Sequence, residues 1–478
     1  MKFIITTLSF LILVSANSFA EPSGKVIMRL NFKKANLMLQ QLPGSIDIAG
    51  QDVKGGTLDI VGSHEYFELL QQEGYPVEIL QEQTTGLDER YMRPDRILAL
   101  VKELEAEYPS IVHVEKIGES LQHRPILAVR ISTGDNLSYK PTILFNGMHH
   151  AREIMTTEVT ADIMIYLVKN FNNPETPWVT EWIKNLAIWV VPQFNPDGNE
   201  IVWTSDNWWR KNARGDDSGT WGVDLNRNYP YEWASCGGSS GSKDNQTYHG
   251  STAASEPETQ AMMKFVKEQN FAIDVSYHSY SELVIAPYGC QNHYTPENAI
   301  VQKIGSDFSK LLKTDSGKGN YTYGTGWEIL YPVDGDDISW MYNEVNTLAY
   351  VVEMNSSAQG FQPNYDKWRN KTVEGQRAGW EFLINQLLTG PQARGRMLDA
   401  KTGLPVNGSV SLDGIKYRDE KPRMAKNGFY NKLLIPGTYD LKFSAPGYRS
   451  QTLSVSVDAH TAINQDVFFE QSLGIDAE

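Results

Sequence analysis

The sequence predicts a three-part chain. Its largest part is α/β, with a mixed, largely parallel sheet and flanking helices; a small ferredoxin-like α+β domain precedes it and an all-β sandwich follows it. Three observations carry this reading. From about Met92 to Leu388, short apolar runs alternate with stretches of helical apolar spacing, the pattern of a buried parallel sheet covered by helices. Residues 24–82 alternate in the order β-α-β-β-α-β. After Gly390-Pro391 the helical pattern stops, and turn signals recur at short intervals.

Taken in order, Val26 to Phe32 reads as a strand, Lys33 to Gln41 as a helix, and Ile46 to Ala49 and Leu58 to Val61 as strands. A helix from Glu65 to Gln72 and a strand from Pro76 to Leu80 complete the domain. Gln81 to Arg90 is polar and reads as an exposed connector, with Arg90 and Arg93 as plausible basic cleavage sites. In the central part, Arg96 to Tyr108, Thr156 to Lys169 and a segment opened by Glu256-Pro257-Glu258 read as helices. Ile126 to Ile131, Ile143 to Phe145, Ala187 to Val191, Ile273 to Tyr277 and Leu348 to Glu353 read as strands. Asn407-Gly408, Asp413-Gly414, Asn427-Gly428, Pro436-Gly437 and Pro446-Gly447 punctuate a small antiparallel sandwich over residues 393–470. The expected divisions are 1–20, 21–90, 91–389 and 390–478.

The ends and the composition bound the function. Lys2, the apolar run Phe3 to Val14 and Ser18-Phe19-Ala20 have the layout of a secretory signal peptide, cut after Ala20. No later segment has the length and apolarity of a membrane helix, so the mature protein is expected to be exported, to the periplasm or beyond. A net charge of −15 without a basic cluster excludes nucleic acid as the main partner. The two cysteines, Cys236 and Cys290, do not sit at metal-binding spacing. In an oxidising compartment such a pair can form one disulfide or stay free.

The chemistry centres on residues 146–158, which come after the apolar run Thr142 to Phe145. His150 and Glu153 stand three apart, so a helical turn after the strand would put an imidazole and a carboxylate on one face. Alone this is a loose pattern. With His278, at the exit of another apolar run, it becomes a nitrogen and oxygen ligand set suited to one zinc per chain, with a coordination position left open. Glu353 closes the run Ala349 to Val352. A carboxylate there is desolvated and needs a reason, such as general base catalysis on water. Arg210 lies among aromatic residues and Arg227 among small polar ones, and guanidinium forks suit a substrate carboxylate or a developing oxyanion.

These separately spaced motifs resemble the zinc carboxypeptidases of the A/B type, including bacterial carboxypeptidase T-like members, over about 300 residues. The resemblance implies that His150, Glu153 and His278 hold zinc and that Asn226 and Arg227 hold the substrate's terminal carboxylate. It implies that Arg210 polarises the scissile carbonyl, Arg152 guides the carboxylate, Glu353 is the general base and Tyr331 caps bound substrate. The N-terminal domain resembles the family's activation domain, which implies an inhibitory segment and an activating protease. The C-terminal domain resembles the transthyretin-like module of the regulatory carboxypeptidases.

The expected activity is removal of one residue from the C-terminus of peptides or proteins. Ile338, where A-type enzymes keep an aliphatic residue, favours apolar or aromatic ends, and Asp336 near the pocket floor admits Lys or Arg. Two other readings remain. One is a zinc peptidase acting on cell-wall muropeptides or γ-glutamyl linkages. The other is a non-catalytic binding or adhesion protein carried by the sandwich.

Overall fold

The computed structural model describes residues 24–31, 47–52 and 55–472. The signal segment and the helix expected over Lys33 to Gln41 lie outside these residues. In the N-terminal domain, β1 (Lys25–Asn31), β2 (Asp47–Asp52), β3 (Thr57–Ser63) and β4 (Val77–Glu82) form one sheet in the order β2-β3-β1-β4. Every neighbouring pair is antiparallel. Helix α1 (His64–Gln72) starts at Ser63, whose Oγ accepts from the Tyr66 amide. Alternation along β1 sends Val26, Met28 and Leu30 into the domain's own core. Ile27 points the other way, onto Trp208, Tyr280 and Phe361 of the central domain.

The central sheet has eight strands in the order β13-β12-β14-β11-β7-β8-β6-β5. These are β5 (Val112–Glu119), β6 (Pro125–Ile131), β7 (Thr142–Gly147), β8 (Ala187–Val191), β11 (Ile273–Ser279), β12 (Leu283–Ala286), β13 (Thr322–Thr325) and β14 (Leu348–Met354). A short pair between, β9 (Gly215–Asp216) and β10 (Gly219–Thr220), stands apart from it. The β7–β8, β7–β11, β11–β14 and β12–β13 pairs are parallel, and the rest are antiparallel. The sheet is therefore mixed, with a parallel block β14-β11-β7-β8 at its centre and a second parallel pair, β12–β13, at one edge.

Helices cover both faces. They are α2 (Pro94–Glu107), α3 (Met155–Lys169), α4 (Pro177–Asn185), α5 (Pro196–Thr204), α6 (Pro257–Gln269), α7 (Asn298–Ser309), the single turn α8 (Gly326–Ile329), α9 (Asp337–Val345) and α10 (Tyr365–Thr389). No helix among the described residues is long and apolar enough to cross a membrane.

The C-terminal part is two stacked sheets. One holds β15 (Gln392–Asp399), β18 (Phe429–Leu433), β21 (Ala462–Asn464) and β22 (Val467–Phe469). The other runs β17-β16-β19-β20, from β16 (Ser409–Leu412), β17 (Arg423–Met424), β19 (Gly437–Ser444) and β20 (Gln451–Val457). It departs from the antiparallel expectation at one place, since β15 pairs parallel with β21 and β22.

The sandwich is fastened to the central domain by buried polar groups. Lys432 Nζ donates to both Glu297 oxygens and to Asn346 Oδ1, each at 2.6 Å. The buried Arg423 guanidinium donates to the carbonyls of Asn270 and Phe271 at 2.6 Å, at the end of α6, and to that of Val345 at the end of α9. Negative helix C-termini suit a guanidinium. Burial still pushes Arg423 down to about 9.

Candidate metal centre and active site

Three parallel strands bring the chemistry together. β7, β11 and β14 are neighbours pointing the same way, so the residues at and just beyond their C-terminal ends meet at one edge of the sheet. His278 on β11 is registered directly opposite Glu353 on β14. The chain leaving β7 turns sharply through Met148, whose φ is 67°, and carries His150 back over the strand ends. His150 and Glu153 lie on a turn closed by the Glu153 amide on the His150 carbonyl at 3.2 Å, before α3 begins at Met155. The expected helical turn is thus a single turn preceding the helix.

The nitrogens and carboxylate converge. His150 Nδ1 lies 2.7 Å from Glu153 Oε1, His278 Nδ1 lies 3.1 Å from Glu153 Oε2, and the two Nδ1 atoms are 3.1 Å apart. One ligand atom from each residue fits within 4.8 Å of the others. Two imidazole nitrogens aimed at each other beside a buried carboxylate form a donor set that one cation satisfies. The residues present therefore fit a zinc ion.

The far ring nitrogens face polar neighbours as well. His150 Nε2 is 3.3 Å from Asp224 Oδ1, and His278 Nε2 is 3.3 Å from Ser276 Oγ. Such partners fix the tautomer and orientation of a metal-binding imidazole. Neither residue had an expected role. The signals were available: Asp224 opens the motif that carries Asn226 and Arg227, and Ser276 is two residues before His278 on the same strand face. His149, next to His150 in the chain, has a different place. It stacks on His278 with ring centroids 5.5 Å apart, and burial pushes its imidazole down to about 4.

Arg210 donates through Nε and Nη2 to Asp224 Oδ2 at 3.1 and 2.9 Å. Burial opposes charge at Asp224, but Arg210 and His150 outweigh it and hold the carboxyl well below its usual range. Asn226 and Arg227 lie in a 3-10 turn (Leu225–Arg227) whose start is capped by Asp224 Oδ1 on the Asn226 amide at 2.9 Å. Asn226 Oδ1 accepts from the Asp337 amide at 3.0 Å and so ties this turn to the start of α9. Cys236 and Cys290 form a disulfide that fastens the following loop to the pocket wall.

A cavity of about 50 Å³ joins these groups. His150, Glu153, Arg210, Asn226, Arg227 and Glu353 line it together with Tyr331, Asp336 and Ile338. Burial pushes Glu353 up to about 8 and Asp336 up to about 7. Asp336 Oδ1 caps α9 through the Ser339 amide at 2.8 Å. Its Oδ2 would stand 3.0 Å from a Cβ at Gly289, which also lines the cavity.

Arg152 is the expected site residue that stands elsewhere. Its guanidinium is fully buried and forms a double ion pair with Asp47 of β2, Nη1 to Oδ2 at 2.6 Å and Nη2 to Oδ1 at 2.8 Å. Phe361 stacks beneath it at 4.0 Å. Ile48 and Ala49, the next residues of β2, line the cavity itself.

The zinc carboxypeptidase profile matches residues 97–378, more than half of the chain. The chain belongs to the zinc carboxypeptidase family. Zinc is the family's metal, and the donor set here suits it. Among its relatives, carboxypeptidase A1 of Bos taurus is 31% identical over 273 residues, covering 56% of this chain and 63% of that protein. Zinc carboxypeptidase A 1 of Anopheles gambiae is 28% identical over 281 residues, covering 58% and 61%. The chain thus spans about three fifths of the length of these relatives. The crystal structure of thrombin activatable fibrinolysis inhibitor aligns over 76% of this chain and 98% of that one, at 20% identity and a TM-score of 0.66. The zinc carboxypeptidase fold is therefore shared, with the sandwich added.

Proposed function

We propose that the protein is an exported, zinc-dependent exopeptidase that hydrolyses the last peptide bond of peptides or proteins. The observation that carries this reading is the convergence, at one cavity, of a zinc donor set, a carboxyl with raised pKa and two arginines. Asn226 and Arg227 would bind the terminal carboxylate and make the enzyme exopeptidic. Glu353 would take a proton from the attacking water and pass it to the leaving amine. Arg210, kept charged by Asp224, would stabilise the negative oxygen of the tetrahedral adduct. Bound zinc supplies a Lewis acid that polarises the carbonyl and lowers the pKa of water. Tyr331 at the cavity mouth would cap the substrate.

For the side chain of the departing residue, Ile338 supplies an apolar floor and Asp336 a carboxyl close to neutrality. Broad specificity with an apolar or aromatic preference results, with Lys and Arg accepted once Asp336 ionises. The N-terminal domain acts as an inhibitory segment in this reading. Supporting it, Asp47 pairs with the arginine assigned to guide carboxylates, and Ile48 and Ala49 take up room in the cleft. The Cys236–Cys290 disulfide supports an oxidising compartment, and with it export.

The test measures amino acids released from peptides ending in Phe, Leu, Lys, Arg or Glu, by the chain freed of its N-terminal domain, with and without a zinc chelator. Chelator-sensitive release of Phe and Leu is expected, with little from the uncut chain. No release from any of these peptides, combined with release from muropeptides, would move the substrate class to cell-wall peptides. Hydrolysis of C-terminal Arg far faster than Phe or Leu would overturn the apolar preference.

A further inference from the structure

We propose that the chain carries a specific site for proteolytic activation at Gly86, cut on either side by an endoprotease that selects small or apolar residues rather than basic ones. This inference rests on the reading of the N-terminal domain as an inhibitory segment. The connector offers two basic positions, and the structure disqualifies both.

Arg90 is the first. Its guanidinium donates to both Asp88 oxygens, at 2.9 and 2.6 Å, and also to Asp366 at the start of α10. It lies 4.8 Å over the ring of Tyr365. The bond after it leads straight into the core. Tyr91 is 1% exposed, its Oη donates to the Pro363 carbonyl at 2.6 Å, and its amide closes a turn on the Asp88 carbonyl. A protease binds its substrate as an extended strand with side chains in alternate pockets. Cutting after Arg90 would require undoing the ion pairs, the turn and the buried tyrosine together.

Arg93 is the second. It is followed by Pro94, the first residue of α2. The bond to be cut is then a tertiary amide with a rigid ring on its leaving side, and trypsin-class enzymes do not accept it. From Gly55 to Glu89 there is no lysine or arginine at all.

Among the described residues between the two domains, the chain is most open around Gly86, whose carbonyl accepts only from the exposed Thr84 Oγ1, at 2.9 Å. Upstream, Gln83 is tied down: its amide donates to the Lys25 carbonyl at 2.8 Å and its side chain to Asp206 and Asn207. The Thr84 carbonyl accepts from Asn207 Nδ2 at 2.8 Å. Downstream, Leu87 packs against the central core. Thr85 and Gly86 lie exposed between these anchors, and a Cβ at Gly86 would meet nothing within 4 Å. An exposed segment of small polar residues between two anchored stretches is where proteolytic nicking concentrates. Adding water across the Thr85–Gly86 or Gly86–Leu87 bond leaves a carboxylate on the N-terminal piece and an ammonium on the catalytic one. The new N-terminus stays fastened by Leu87 and the Asp88–Arg90–Asp366 group, while the inhibitory domain loses its covalent tether.

The experiment treats the full chain with trace thermolysin, subtilisin or trypsin and tracks fragments by intact mass over time. Thermolysin and subtilisin are expected to cut first beside Gly86. Trypsin should cleave the bonds after Arg90 and Arg93 slower by on the order of tenfold or more, because cleavage tracks the population of the locally opened chain. Gly86→Arg should give trypsin a new first cut, after position 86. Trypsin cutting after Arg90 or Arg93 as fast as the others cut, or first cuts by thermolysin and subtilisin outside residues 84–87, would overturn the site. The cut is mapped by mass and not by activity. A clean cut at Gly86 that yields no peptidase would therefore sink the functional reading and leave the site standing.

Discussion

Glu353 and Asp336 are carboxyls raised by the same cause, burial, and placed for different tasks. Glu353 faces His278 across two paired strands, where a base poised near neutrality can take and return a proton. Replacing it by Gln keeps the shape and removes the proton acceptor. Peptide hydrolysis should fall by about 10²–10⁴-fold, while zinc content, measured by mass spectrometry, stays near that of the wild type. In the proposed function Asp336 instead faces the departing side chain from the cavity lining. Its carboxyl is neutral below about 7 and ionised above, so a cationic side chain gains its counter-charge only as pH rises. The ratio of kcat/KM for Arg-ending over Leu-ending peptides should climb about tenfold per pH unit below that point and level off above it. In Asp336→Asn the ratio should be flat with pH; a ratio that still climbs would place the titrating group elsewhere.

At the level of elements, one close approach sets a helix's place and one capped turn organises the site. Gly379, inside α10, lets that helix settle on α7, because a Cβ there would come within 2.5 Å of the Phe308 ring and 2.6 Å of Leu312. Glycine lowers helix propensity, so its presence in a long helix marks a packing need. Gly379→Val should lose about 1–3 kcal/mol through overpacking, read as a lower denaturation midpoint with unchanged slope. The turn from Asp224 to Asn228 is the second feature. One carboxylate, Asp224, caps the turn, orients His150 and holds Arg210. Asp224→Ala should weaken zinc retention by about 10–100-fold, as loss of an outer-shell partner does, and should lower activity beyond that. Chelator titration with a metallochromic dye separates the two effects.

For the whole molecule, the three domains are joined by buried charge in different ways. In the proposed activation Asp47 and Arg152 part when the N-terminal domain leaves, whereas Lys432, Glu297 and Arg423 fasten the sandwich to the central domain. Lys432→Met leaves the Glu297 carboxylate buried beside Asn346, and loss of one partner of a buried pair costs about 3–5 kcal/mol. Denaturant unfolding should show the sandwich and central domain uncoupled in that variant, with much of the loss recovered when Glu297→Met is added. The same interface grips the end of α9, whose first turn carries Asp336 and Ile338. The sandwich thus braces the element that shapes the pocket floor.

The sequence alone determined the order of the domains, the strands that reach the site and the ligand types, because these arise from local apolar periodicity and from residue chemistry at short spacing. Ala187 to Val191 was legible to the residue, being fully buried and uniformly apolar. The half-exposed edge strand β5 and short β12 and β13 were not, since their pattern is weak without the neighbours they pair with. Helices α4, α5, α7, α9 and α10 also went unread, although α4 and α7 do carry an apolar face, with Val179, Trp182 and Ile183 buried on one and Ile300, Ile304 and Phe308 on the other. The approach of Asp224 to His150 and the pairing of the two cysteines depend on residues far apart in the chain and came only with the fold. So did the seat of Arg152. The same holds for Arg90, which reads as an open basic site in one dimension and is an ion-paired, stacked side chain in three. Sequence records which groups are present, and only tertiary structure decides which of them are already engaged.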